Sequence, residues 1–230
     1  NSGGSITLTN VTFSGNSASQ TGGGMYNSGG SITLTNVTFS GNSANQGGGI
    51  FNNGSSPTLI NVTFSENTAT NHGGGMYNEA SSPTLTNVTF YGNSAFIGSA
   101  IYDINNSDPV VTNTIVWGHT GEQIYGDFGS FPVITYSVIQ NGWLGDGNIS
   151  SDPVLLPLTD NGGYTHTHAL GAGSSAIDTG NPDVCPHTDQ RIYARPTDGD
   201  GIDGPRCDIG AYEFASFPAV FTLTADILGS

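Results

Sequence analysis

The chain has 230 residues, of which 35 are glycine and only 9% are charged, and its formal net charge is −15 at pH 7. This composition excludes an ordinary helical protein, and three arginines without any lysine do not form the basic surface that binds nucleic acid or anionic lipid. No apolar run reaches the ~18 residues that a transmembrane helix requires.

The first predicted elements belong to a sequence segment that recurs along the chain. The segment LTNVTFSGNSA at residues 8–18 returns unchanged at 34–44, and near-copies begin at residues 59 and 85. A fixed period of 25 or 26 residues indicates one supersecondary unit that is stacked several times. Each copy has a phenylalanine at the same position, namely Phe13, Phe39, Phe64 and Phe90.

Within one copy, SITLTNVTF alternates apolar and polar residues, which predicts strand with Leu8 and Phe13 inside and Thr7 and Thr12 outside. By the same alternation Thr38 faces outward, where we expect its replacement to cost little stability. Glycine clusters and Asn/Gly/Ser turns divide each copy into about three short strands. Such a unit cannot satisfy its own backbone hydrogen bonds, so each strand pairs with its equivalent in the next copy. The predicted fold class is therefore all-β, a right-handed parallel β-helix.

Asparagine recurs with the same period and predicts ladders at the corners of the coil. Asparagine tolerates the left-handed backbone of a sharp corner, and stacked side-chain amides can bond between coils for about 1 kcal/mol each. The alternative interpretation takes each NVT triplet as a glycosylation acceptor, but an asparagine held in a ladder cannot present a sugar. The two predicted ladders are Asn10, Asn36, Asn61, Asn87 and Asn113, and Asn16, Asn42, Asn67 and Asn93.

A row of aromatic residues follows the glycine clusters, next to a row of Met and Ile residues. Adjacent strand residues point to opposite faces, so one row lies inside the coil and the other outside. An outward aromatic row would form a stripe that stacks on sugar rings or on another protein, whereas an inward row would fill the core. The aromatic row is Tyr26, Phe51, Tyr77 and Tyr102, and its neighbours are Met25, Ile50, Met76 and Ile101.

The repeats resemble a group of bacterial surface proteins. FSGN, FSEN and FYGN match the FxxN element, and GGGM and GGGI match the GGA[ILV]-type element, of chlamydial polymorphic outer membrane proteins. The resemblance covers residues 1–102, although GSAI at residue 98 departs from the glycine triplet. Residues 103–150 keep the strand-like alternation with longer turns and predict two less regular coils, so the predicted β-helix spans residues 1–150.

The remaining segment, residues 151–230, predicts an acidic, loop-rich module that ends in a strand. Its motifs TDQR, RPTDGDG and CDIGAYE are similar to the C-terminal part of choice-of-anchor Q domain proteins, which are secreted bacterial β-helices. The resemblance implies an extracellular or cell-surface location in a bacterium. It supplies no catalytic residue.

The acidic module contains one candidate metal site. The run DGDGIDG offers the carboxylates of Asp198, Asp200 and Asp203 on a glycine-rich turn, as a calcium ion requires, although the EF-hand spacing is not met. The alternative is a solvated acidic turn that is balanced by ion pairs with Arg191, Arg195 and Arg206.

Cysteine and histidine supply the other candidate sites in this module. Cys185 and Cys207 form either a disulfide or two buried free thiols, and their even number in a lysine-free, Ser/Thr/Asn-rich chain favours a disulfide in an oxidising compartment. His166 and His168 fit one face of a strand, as a zinc pair would, but without two further ligands we favour a structural role.

The leading functional interpretation is a structural or adhesive surface protein whose coils form a stiff spacer. A glycan-binding module is the alternative, and it depends on an outward aromatic row. A polysaccharide lyase or hydrolase is disfavoured because residues 1–102 contain no Asp, Lys or Arg. The terminal run FTLTAD resembles ITLTNV of the first coil, and it predicts either head-to-tail pairing with a neighbour into fibres or a fold back onto its own helix.

Overall fold

Each sequence repeat forms one coil of a stack of short parallel strands. The computed structural model describes residues 1–216 and Pro218. In this part of the chain a short 3-10 helix covers Pro182–Val184. The strands are β1 (Thr7–Thr9), β2 (Thr12–Ser14), β3 (Met25–Ser28), β4 (Thr33–Ser40), β5 (Ser43–Gln46), β6 (Ile50–Asn53), β7 (Thr58–Ser65), β8 (Thr68–His72), β9 (Met76–Glu79), β10 (Thr84–Tyr91), β11 (Ile101–Ile104), β12 (Val110–Thr112), β13 (Ile115–Trp117), β14 (Ile124–Gly126), β15 (Val133–Thr135) and β16 (Val138–Ile139).

Strands at equivalent positions of successive coils pair in parallel. The largest sheet has the order β1-β4-β7-β10-β12-β15 and also includes β2, β13 and β16. A second sheet has the order β14-β11-β9-β6-β3, and a third pairs β5 with β8. Each coil thus satisfies its backbone through its neighbours, and the predicted parallel β-helix is confirmed.

The long strands β4, β7 and β10 each bend at an asparagine. Asn36, Asn61 and Asn87 have φ of 55°, 54° and 53°, in the left-handed region that asparagine tolerates. The bend divides each strand into a first arm before the asparagine and a second arm after it. The outer faces of the two arms have different surroundings.

Apolar side chains from the sheets fill the tube. Leu34, Phe39 and Ile50 of one coil are fully buried, and each lies between the equivalent residues of the adjacent coils. The rings of the predicted phenylalanine ladder stack with centroids 4.7 to 4.9 Å apart and planes within 5°. Burying such a side chain stabilises the fold by about 1.5 to 3 kcal/mol. The repeats are nearly identical because each coil packs its core side chains on the same side chains of the next coil.

Two less regular coils follow and comprise β12 to β14 and then β15 and β16. Val116 and Ile139 take the place of the phenylalanines in the core ladder. The loop after β16 closes this end of the tube, because Trp143 packs against the core and the Asn148 side chain donates to a backbone carbonyl of β15 at 2.9 Å.

Residues 151–216 leave the helical path and cover the outer face of the second arms. Gln190 lies at the centre of this contact, where Thr63 Oγ1 donates to its Oε1 at 2.7 Å and its Nε2 donates to Thr38 Oγ1 at 2.8 Å. Both threonines are 0% exposed. The expectation that Thr38 is open and tolerant is wrong, because alternation shows that a side chain points out of the tube but not what packs on it.

The predicted surface role raises the question of membrane association. In the part of the chain that the structure describes, none of the helices has the length and apolar character of a membrane span. The predicted terminal strand, FTLTAD, lies outside the described residues, so its pairing stays a prediction.

Candidate functional site

The aromatic row lies outside the tube but is largely closed off from solvent. The neighbouring Met and Ile residues pack in the core, whereas Phe51, Tyr77 and Tyr102 form a separate cluster and are only 4%, 5% and 6% exposed. Successive rings, including Tyr125 of the next coil, stack with centroids 4.6 to 5.5 Å apart. At the first coil Tyr26 is 38% exposed. The row therefore binds the coils to one another and offers little ring surface to a sugar.

The first predicted ladder follows the left-handed corners, where all five asparagines have φ between 52° and 60°. Asn36 donates to Asn10 Oδ1 at 3.1 Å, and Asn61 donates to Asn36 Oδ1 at 3.3 Å. The ladder is interrupted between Asn61 and Asn87. There Arg195 donates to Asn61 Oδ1 at 3.4 Å, and the Asn87 amide donates to carbonyls of the C-terminal segment. These buried corner amides hold the segment in place and are inaccessible to glycosylation.

The second predicted ladder lies inside the tube. Asn16 donates to Asn42, Asn42 to Asn67 and Asn67 to Asn93, each at 2.9 Å. Buried His119 follows in the next coil, where its Nδ1 lies 3.0 Å from the Asn93 carbonyl oxygen and burial lowers its pKa to about 4. The left-handed backbone that the sequence assigned to these asparagines lies one residue earlier, at Gly15, Gly41, Glu66 and Gly92.

A third ladder was missed by the sequence interpretation. Asn27 donates to Asn52 at 2.9 Å, Asn52 to Asn78 at 2.8 Å, and Asn78 to the carboxylate of Asp103 at 2.8 Å. All four side chains are fully buried, and burial raises the pKa of Asp103 to about 8. The signal was available, because these residues are 25, 26 and 25 positions apart, the same period as the phenylalanines.

The motif residues of the C-terminal segment form a buried charge network. Arg191 pairs with Asp189 at 2.6 Å, and Arg195 pairs with Glu213 at 2.7 Å. These four residues are at most 5% exposed. Because Arg191 and Arg195 pair with buried acids, they do not balance the acidic turn, and that alternative is wrong for these two arginines.

Asp208 belongs to the same network. Its Oδ1 accepts the backbone N–H of Asp178 at 2.8 Å, and burial together with the adjacent Glu213 raises its pKa to about 8. Burial also raises the pKa of Glu213, against the opposing effect of Arg195. Groups with such pKa values are candidates for acid–base chemistry, but here a substrate has no access to them, so TDQR and CDIGAYE serve to seat the segment.

The acidic turn gathers a different triplet from the predicted one. Carboxylate oxygens of Asp178, Asp198 and Asp200 lie within 4.8 Å of one another, and Asp203 is not part of this group. Asp178 Oδ2 already accepts the backbone N–H groups of Gly199 and Asp200, both at 2.9 Å. Calcium takes about six to eight oxygen ligands, of which this cluster supplies a part. The calcium hypothesis stays a prediction. In the structure the third candidate ligand beside Asp198 and Asp200 is Asp178 and not the predicted Asp203.

The two cysteines form a disulfide. The bond joins Cys185 to Cys207, with Cα atoms 5.9 Å apart and a separation of 22 positions in the sequence. It therefore crosslinks the end of the 3-10 helix, where Cys185 lies, to the buried motif that contains Asp208. A disulfide is typical of an oxidising compartment.

The two histidines of the HTH run have different surroundings. His168 is buried, its Nδ1 lies 2.7 Å from the Leu156 carbonyl oxygen, and its Nε2 lies 2.9 Å from Ser65 Oγ. His166 is exposed. Since both nitrogens of His168 are occupied, the pair serves packing of the segment and not metal binding.

Two surface grooves lie next to the closed end of the tube and next to the C-terminal segment. One lies at the closed end of the tube and is lined by Trp143, Leu144 and Asn148. The other lies between the coils and the C-terminal segment and is lined by Glu66 and Tyr91. Neither groove combines a nucleophile, a base and a charge-stabilising group within reach of a substrate.

Comparison with known proteins identifies a family for the coil region. A family model described as a right-handed β-helix region matches residues 25–147, which is more than half of the chain. No curated protein and no solved structure matches the chain significantly. The finer resemblances to polymorphic outer membrane proteins and to choice-of-anchor Q proteins therefore stay predictions.

Proposed function

Because the chain belongs to the right-handed β-helix family, we propose that it is a structural or adhesive surface protein whose coils form a stiff spacer. The observation that carries the proposal is the continuity of the interior ladders. Each coil is bonded to the next by side chains such as Asn52 and Asn67 as well as by its backbone. A tube joined in this way resists bending and stretching, because deformation at any step breaks several buried hydrogen bonds together.

The proposed location is the extracellular surface of a bacterium. The disulfide between Cys185 and Cys207 supports an oxidising compartment. Residues 1–102 carry only two acidic residues and no Lys or Arg, and the rest of the chain is acidic, which supports partners other than nucleic acid, such as surface proteins or glycans. No catalytic role is part of the proposal, and turnover of pectin, alginate or mixed glycans by the purified chain would overturn this point.

Mechanical unfolding of the full chain tests the spacer. We expect Asn52→Ala, which removes a buried amide from an interior ladder, to lower the unfolding force. The adjacent Asn53, which is only half-buried and bonds to Glu79 near the surface, provides the matched control Asn53→Ala. Equal forces for the two variants and the wild type would mean that the ladders do not stiffen the tube, and the proposal would fail.

Head-to-tail assembly is the finer form of the proposal. The first coil has partly buried core residues, including Leu8 and Phe13, and β1 and β3 are end strands of their sheets in the part of the chain that the structure describes. We propose that residues 217–230 of a neighbouring molecule pair there. Electron microscopy of the full chain and of a chain lacking these residues decides the matter, because fibres that persist after the deletion, or no fibres from the full chain, contradict it.

Glycan binding remains the competing proposal from another class of function. Tyr26 is the one ring of the aromatic row with substantial exposure in the described part of the chain. Glycan-array binding by the full chain that is lost on Tyr26→Ala would favour a glycan module over a spacer.

A further inference from the structure

The outer face of the first arms has a regular composition. Twelve side chains point outward there in two columns on six paired strands, and all twelve are β-branched, nine of them threonine. We call this surface the threonine face. Its first column is Thr7, Thr33, Thr58, Thr84, Val110 and Val133, and its second is Thr9, Thr35, Ile60, Thr86, Thr112 and Thr135.

The threonine face forms a two-dimensional lattice. Neighbouring strands lie about 4.8 Å apart and alternate residues about 6.6 Å apart along a strand, so six strands span about 24 Å. Paired residues are separated by 26, 25, 26, 26 and 23 positions in the chain, yet the register on this face never shifts. Changes in coil length are therefore absorbed in turns elsewhere.

The face is also rigid, uncharged and open. β-Branched side chains are restricted at χ1, so their methyl and hydroxyl groups hold a common orientation. Every position is exposed or half-exposed, and Val110 and Val133 are 46% and 54% exposed. Within the described residues no side-chain hydrogen bond joins this face to the C-terminal segment, in contrast to Thr38 and Thr63 on the second arms.

Strand propensity alone does not explain this composition. Strand propensity favours tyrosine, phenylalanine and valine as much as threonine. It does not require the same residue type at equivalent outward positions of successive coils. At another register-equivalent position of the same coils the residue type changes at every step, from Gln46 to His72 to Ile97. The second column keeps threonine in β12 and β15, and the first column keeps a β-branched residue there, although the phenylalanine ladder has been lost in these coils.

A regular lattice of this kind fits a partner that is itself periodic in two dimensions. A single glycan or peptide chain is periodic in one dimension and binds in a groove or on exposed aromatic rings, and the face offers neither. The surface of ice presents rows of water oxygens with spacings of the same order as those of the face. A threonine hydroxyl can both donate to and accept from such waters, and its methyl group occupies the space between them. We propose that the threonine face binds the surface of ice.

The proposal is independent of the spacer function and is tested on the full chain. Partition into a slowly growing ice front and thermal hysteresis are measured for the wild type and for Thr58→Tyr, which places a bulky ring at the centre of the lattice. Tyrosine is well tolerated in strands. The matched control is Thr70→Tyr, at an exposed position of β8 outside the face. Circular dichroism and melting temperature establish that both variants are folded.

We expect the wild type and Thr70→Tyr to enter the ice and Thr58→Tyr to fall to the level of a non-binding protein. Ile60→Thr, which fills the one gap in the second column, should increase thermal hysteresis. The proposal is overturned if the wild type is excluded from ice, or if Thr58→Tyr binds as well as Thr70→Tyr. It is also overturned if the wild type instead co-sediments with crystalline cellulose or chitin, or dimerises through this face.

Discussion

The coils and the C-terminal segment bury polar side chains in opposite ways. In the interior of the coils most buried polar groups are neutral amides, such as Asn52 and Asn67, which bond to the equivalent amide one coil away. In the C-terminal segment the buried polar groups include charge pairs, Arg191–Asp189 and Arg195–Glu213, and a disulfide joins two parts of the segment.

The difference follows from repetition. A repeating chain supplies every buried amide with a partner of the same type at a fixed distance, so no charge is needed to satisfy it. A segment that does not repeat must find partners far away in the sequence, and buried arginines with several donors meet that need. Asp103 and His119 are exceptions in the coils, because there two amide ladders end on titratable groups.

The largest effect is expected from breaking a charge pair of the segment. Arg195→Met leaves the carboxylate of Glu213 buried without its cation and should lower the free energy of unfolding by about 3 to 5 kcal/mol. Chemical denaturation measures the loss. The control Arg206→Met, at an exposed position, should change stability little, and a similar loss in both variants would contradict the account of the network.

Reducing the disulfide should have the next largest effect, and a local one. A crosslink that closes a loop of this length, 22 residues, is worth about 3 kcal/mol by loop entropy. Hydrogen exchange after reduction should show faster exchange in residues 151–216 and unchanged protection in the coils. Uniform loss of protection would show that the two regions unfold as one unit.

Asp103→Asn should stabilise the protein by on the order of 2 kcal/mol at pH 8, because it extends the amide ladder without a charge. Burial raises the pKa of Asp103 from 3.8 to about 8. Between these pH values the folded wild type holds a proton that the unfolded chain releases. The contribution of Asp103 to the free energy of unfolding therefore falls as the pH rises from about 4 to 8. The advantage of the variant should therefore grow between pH 5 and pH 8. Asp146→Asn, at an exposed position, is the control, and a gain that does not depend on pH would refute the assignment.

A smaller effect compares two threonines of the same strand, β7. Thr63→Val removes the buried hydroxyl that bonds to Gln190 and should cost about 1 to 3 kcal/mol. Thr58→Val, on the open threonine face, should stay within about 0.5 kcal/mol of the wild type. Thermal and denaturant unfolding of the two variants measure the difference, and equal costs would mean that the segment does not cover the second arms in solution.

Calcium should have the smallest effect. At a calcium concentration near the dissociation constant the gain is about 0.4 kcal/mol, and it should disappear in Asp200→Asn. Asp203→Asn, outside the cluster, should keep the gain. Calorimetry with calcium and with EDTA measures both variants, and a melting temperature that calcium leaves unchanged in the wild type rules out the site.

The sequence predicted what depends on the repeat. The period located the core, as Phe39 and Phe64 show, and it located the corners at Asn36 and Asn61. It did not predict the cover over Thr38, because that contact joins residues more than 100 positions apart, and no local pattern encodes it.

The same limit applies to the acidic turn and to the aromatic row. Asp178 joins the turn from 20 residues earlier in the chain, outside the DGDGIDG motif. The sequence did not show whether the aromatic row faces into or out of the tube, because both this row and the adjacent Met and Ile row are apolar. Stacking also buries rings such as Phe51 although they lie outside the tube. Local alternation assigns a side chain to a face, whereas tertiary packing decides its exposure.

The direction of the side-chain amides has a consequence for the electrical polarity of the tube. In both interior ladders the donor always belongs to the earlier coil, as with Asn16 to Asn42 and Asn27 to Asn52. In the corner ladder the donor belongs to the later coil, as with Asn36 to Asn10. Their dipoles point in opposite senses along the axis and partly cancel, unlike the aligned dipoles of an α-helix. Each added coil therefore adds less to the axial dipole than it would if all three ladders pointed the same way.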